Sequence, residues 1–114
     1  LEFPNEVRRD VVAALLLARN GQKAVNAKPL LGFSGASVLE IVARDRSGTY
    51  RCVYTVKFGT AVYVLHAFQK KSRKGIATPK EEIEMIKRRL KLASETDAEI
   101  IAQKRRGKDH DERE

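Results

Sequence analysis

The sequence has no tryptophan, a single cysteine, two histidines and few aromatic residues, 6% in all. Each shortage excludes something. One thiol, Cys52, cannot close an internal disulfide and has no second thiol for a thiolate zinc site, which fits a reducing compartment. The histidines and carboxylates show no metal-ligand spacing, so no metal or other cofactor is expected. The glycine-bearing stretch GFSGAS lacks the spacing and the lysine of a phosphate-binding loop. No apolar run approaches the ~18 residues that cross a bilayer, and VVAALLLA at 11–18 lacks signal-peptide flanks; no membrane partner and a cytoplasmic location are therefore expected.

What is abundant is positive charge. Lys and Arg number 23 against 15 Asp and Glu, a formal net charge of +8 over 114 residues. An excess of that size on a chain long enough for one core favours a polyanion, nucleic acid first, as the partner.

Pro4 followed by Val7, Val11, Ala14, Leu15 and Ala18 predicts a helix that Asn20 and Gly21 terminate. Residues 22–37 read as an irregular connection with a short helical turn near Lys23 to Ala27. Three strands follow, Val38 to Arg44, Tyr50 to Phe58 and Ala61 to Gln69, joined by links short enough for antiparallel hairpins. Thr78, Pro79 and Glu81 form a capping box ahead of an apolar stripe of Ile83, Ile86, Leu90 and Ala93. Lys87, Arg88, Arg89 and Lys91 lie opposite that stripe and read as a solvated face. Ser94 with Asp97 predicts a new cap and a second, shorter helix to about Lys104. The chain thus divides into one domain, 1–106, and a mobile charged tail, 107–114, in which His110 is inert.

Side chains alternate across a strand, so the strands can be split by face. Leu39, Ile41 and Ala43, with Cys52, Tyr54 and Val56 and with Tyr63, Leu65 and Ala67, give one apolar face. The opposite face collects Glu40, Arg44, Arg51, Thr55, His66 and Lys70. Val42, Val53, Val64 and Phe68 share that second face, so part of it is expected to lie under another element or a partner.

The segments "VLEIVARDRSGTYRCVYTVKF", "AVYVLHAFQKKSRKG" and "TPKEEIEMIKRRL", and less specifically "FPNEVRRDVVAALLLA", resemble the RelE/HigB toxins of bacterial type II toxin–antitoxin systems, in their phage-derived HigB-like branch. The resemblance implies an α+β fold: a twisted antiparallel sheet with helices packed on one face, and a fourth strand supplied by residues ahead of Leu1. It implies an mRNA endoribonuclease that acts on the ribosome, inhibits translation and growth, and is held inactive by a cognate HigA-like antitoxin. Operator DNA would be reached only through that antitoxin. Arg51 in "YRCVY", His66 in "LHAF" and Lys70 and Lys71 in "QKKS" match the branch by position, whereas a C-terminal catalytic strand found in better-known members has no counterpart here.

RNA can be cut without metal, because its 2′-OH can attack the adjacent phosphorus when a base takes its proton and an acid protonates the leaving oxygen. In that chemistry His66 is the candidate acid or base, Arg51 the phosphate fork and Lys70 the neutralising charge; Glu40 is the alternative base or an orienter. Lys57, Lys71, Arg73 and Lys74 are the expected contacts to flanking RNA backbone. Two other readings stand beside this one, a ParE-like toxin of the same fold that inhibits DNA gyrase and a basic RNA-binding module without catalysis.

Overall fold

The computed structural model describes residues 3–30, 33, 38–56, 61–70 and 79–112, with only the backbone described for 108–112. Helix α1, Asn5–Arg19, begins at Pro4, which occupies the N-cap with an extended ψ of 152°. Its buried residues Val7, Val11, Ala14 and Ala18 recur every three or four positions and form one stripe. Gly21 closes the helix in the left-handed region, φ +79°, which lets its amide reach the carbonyl of Ala18 while that of Gln22 reaches Leu17.

The chain then makes a turn, with the Ala27 amide on the Ala24 carbonyl, and enters a strand where an irregular connection was expected. This strand, β1, Ala27–Pro29, pairs antiparallel with β2, Val38–Asp45. The fourth strand of this sheet is therefore supplied from within the chain, by a stretch read as irregular connection. Three residues ending in proline carry no readable alternation, and an edge is where a strand tolerates a residue that cannot donate. Strands β3, Gly48–Thr55, and β4, Val64–Lys70, complete an antiparallel sheet in the order β1-β2-β3-β4. The β2–β3 hairpin is tied by Asp45, whose Oδ1 accepts from the amide and the hydroxyl of Ser47; those bonds, the hydroxyl's first, hold its carboxyl below the usual range.

Both faces of the sheet are covered, each by its own helix, whereas helices on one face were expected. On one face α1 packs on Leu39, Ile41, Ala43, Tyr50, Cys52 and Tyr54. Burial there pushes the Cys52 thiol up to about 11. On the other, Ile86 and Ala93 of the second helix join Val38, Val53, Leu65 and Phe68. That helix, α2, runs unbroken over Lys80–Glu112, through the predicted break at Ser94 and through most of the segment expected to be a mobile tail. Its stripe of Ile83, Ile86, Leu90 and Ala93 is as predicted. The Ser94/Asp97 pattern misled because Asp97 makes a tertiary contact: it is buried and accepts from the Tyr63 hydroxyl at 3.2 Å. Thr78, the predicted cap, lies outside the described residues.

A register shift in β4 decides which side chains reach which core. Val53 is opposite His66 but Tyr54 is opposite Val64, so Leu65 is an extra residue, a β-bulge. Ahead of it the alternation inverts: Val62 packs with the α1 core, while Tyr63 and Leu65 join the α2 core. Strict alternation had placed Val62 and Val64 with His66 and had placed Leu65 opposite.

Candidate nucleic-acid interface

Residues directly opposite in an antiparallel pair share a face, which fixes the site from the register alone. Lys28 is opposite Glu40; Val42 is opposite Arg51, itself opposite Phe68; Arg44 is opposite Thr49, itself opposite Lys70. Each of the four strands therefore contributes one cation to the same face: Lys28, Arg44, Arg51 and Lys70. Glu40 is the carboxylate among them. α2 covers the Val38–Val53–Leu65 end of this face and leaves the Arg44–Lys70 end, nearest the β2–β3 hairpin, to the cations. Arg51, His66 and Lys70 are thus on one face, as expected, but it is a face on which a helix packs. Beyond the short β1, where the Val42 amide still donates to the Asn26 carbonyl, lies a cavity of about 470 Å³ whose lining includes Asp10, Asn26, Lys28, Arg44 and Arg51.

Arg51 is 4% exposed, and its NH1 donates to Glu40 Oε1 at 2.5 Å. Lys28 Nζ lies 3.6 Å from the same oxygen. Glu40 is therefore the counter-ion of Arg51, and it would have to leave the guanidinium to act as a base. Arg51 Nε and Glu40 Oε2 are buried without a partner among the described residues. Slight desolvation and then the like charges of Arg51, Lys28 and Arg44 hold the Lys70 ammonium below the usual lysine value, against the opposing pull of Glu40. Four strands thus place their charges close enough to feel one another.

His66 sits where the cationic end meets the covered end. Its ring stacks on Phe68 with centroids 5.0 Å apart and planes 21° from parallel. Glu82 of α2 contacts Nε2, and Arg89 NH1 lies 3.0 Å from Nδ1 while also donating to the Leu65 carbonyl at 2.9 Å. Both ring nitrogens are engaged, so His66 must give up one partner before it can exchange a proton with RNA. Lys57, Lys71, Arg73 and Lys74 lie outside the described residues.

Three participants were not readable as such. Lys28 sat in an apparent linker. Glu82 and Arg89 read as ordinary surface charges, Arg89 as part of a solvated basic face, although both fall on the helical face of Ile86, four residues after one and three before the other. That spacing was the available signal.

The antiparallel four-stranded sheet with two helices is consistent with a RelE-like fold, and the chain is a small α+β protein with a basic sheet face. The sequence profile described as phage-derived protein Gp49-like (DUF891) matches residues 1–91, and the chain belongs to that family. Membership is compatible with the toxin of a toxin–antitoxin pair. No curated protein and no solved structure matches the chain. Among the described residues no helix is long and apolar enough to cross a membrane.

Proposed function

We propose that this chain is the toxin of a type II toxin–antitoxin system and acts as a metal-independent mRNA endoribonuclease on translating ribosomes, neutralised by a HigA-like antitoxin. The observation that carries the reading is the presence of one cation from every strand on a single sheet face in a Gp49-like chain. Phosphate contacts of that kind give affinity and position with little sequence information. Cleavage specificity would then come from how the ribosome presents the message.

In the reaction, a base removes the proton of the 2′-OH and the 2′-oxygen attacks phosphorus. The 5′-oxygen leaves with a proton, and a 2′,3′-cyclic phosphate remains. Lys70 and Arg44 supply charge around the phosphate. Arg51 contributes through its buried pair with Glu40, and His66 contributes once freed on one side. Basic RNA binding without cleavage is the second reading, and the occupation of both His66 nitrogens is what favours it. A gyrase-directed toxin has no comparable observation in its favour.

The test is to add the chain to translating ribosomes with and without chelator and to map RNA termini. Cuts within mRNA bearing cyclic phosphate ends, unchanged by chelation, are expected. RNA retention without new termini would replace the enzyme with the binding module. A chelator-sensitive chemical step would remove the residue roles given above.

A further inference from the structure

We infer that Glu82 and Arg89 of α2 are positioning residues that fix His66 as the neutral imidazole with its proton on Nε2. The inference deepens the proposed ribonuclease site and rests on that reading only for its bearing on catalysis. It follows from donor and acceptor arithmetic. Arginine carries donors and no acceptor, and it stays charged in proteins. Arg89 NH1 at 3.0 Å from Nδ1 therefore requires a lone pair on Nδ1. The ring proton must then be on Nε2, where the Glu82 carboxylate stands ready to accept it. One protonation state satisfies both contacts, and a doubly protonated ring would turn an N–H toward the guanidinium.

Further contacts hold the ring and its two partners in this arrangement. Ile86, fully buried, anchors α2 between the two charged residues. Arg89 is held a second time by the Leu65 carbonyl, and Phe68 backs the ring. Among the described residues, the charged groups in contact with His66 are Glu82 and Arg89 from α2; Lys70 follows four residues along its own strand, and Val53 faces it from β3. The His66 side chain is 14% exposed and that of Glu82 29%, so Glu82 has the more open approach to solvent. Glu82 and Arg89 touch no reacting atom in this arrangement. They set which nitrogen of His66 is a donor.

With only two histidines, the chain permits a direct measurement. Long-range proton–nitrogen NMR spectra of the full chain carrying His110→Gln report His66 alone and distinguish the two neutral tautomers by which nitrogen bears hydrogen. At neutral pH the expected spectrum is that of the Nε2–H form. Arg89→Met, which keeps the apolar stem, should give mixed tautomers, and Arg89→Lys should restore the parent pattern in part. Glu82→Gln should reduce the Nε2–H population. A parent spectrum showing Nδ1–H, mixed tautomers or a doubly protonated ring would overturn the inference whatever the variants do. RNA cleavage followed in parallel separates the two claims. An Nε2–H spectrum that Arg89→Met disturbs, without cleavage, would remove the ribonuclease reading and leave the clamp in place, whereas cleavage with mixed tautomers, or with an Nε2–H spectrum that Arg89→Met leaves unchanged, would do the reverse.

Discussion

Glu40 and Arg51 are side chains that water would normally solvate, yet both are buried within the sheet. Removing one partner of such a pair leaves the other charge in a poorly polarisable surround, at a cost of about 3–5 kcal/mol, while an apolar pair of similar volume is often near neutral. Arg51→Met and Glu40→Leu are therefore each expected to lower the urea midpoint strongly, and the double variant to recover most of the loss. Additive losses would show that the pair is not a unit. Loss of RNA cleavage in Arg51→Ala cannot by itself be assigned to lost phosphate contact, because the same change strands Glu40. At this scale the sequence conveyed which residues share a face, since alternation alone put Glu40, Arg44, Arg51, His66 and Lys70 together. It did not convey their partners. Whether Arg51 grips a phosphate or a carboxylate depends on a diagonal neighbour across the sheet, and a string of residues does not encode that distance.

Among the elements, α1 and the β2–β3 hairpin follow local signals: proline at the entry, glycine at the exit, and Asp45 with Ser47 and Gly48 at the turn. α2 does not. Its cap-like Ser94 and Asp97 suggested two helices, and tertiary packing overrode them because Tyr63 engages Asp97 in mid-helix. Beyond that contact the helix has only the partly buried Ile100, Ile101 and Ala102 before a run of exposed residues, 103–107. Amide exchange is expected to divide accordingly. Amides from Ile86 to Asp97 should be the slowest in the helix, and those past Gln103 should exchange near the rate of an isolated helix. Uniform protection to residue 107 would mean that the second half has a packing partner of its own.

The whole molecule measures 61 × 27 × 24 Å, with a radius of gyration of 16.4 Å. A compact domain of this length would have a radius near ~13 Å. The excess fits the 33-residue α2, which at ~1.5 Å per residue is about 50 Å long. Net charge was the most legible global property and pointed to a polyanion before any element was placed. Its distribution was less legible, because Lys28 had no recognised strand to carry it to the face. If Lys28 and Arg44 contact phosphates, Lys28→Ala and Arg44→Ala should each flatten the log–log salt dependence of RNA binding by about one unit. Neither residue should change sequence preference. A slope unmoved by both would place the RNA elsewhere on the molecule.

The extra residue in β4 puts two consecutive side chains on the α2 side of the sheet. Because Leu65 and His66 turn to the same side in succession, an aliphatic wall stands immediately beside the imidazole, and the Leu65 carbonyl is within reach of Arg89. Deleting that single residue would restore an even two-residue rhythm, leaving Tyr63 on the α2 side and taking the aliphatic wall away from the imidazole. Arg89 would lose its second anchor, so the insertion couples the seating of α2 to the chemistry of the ring.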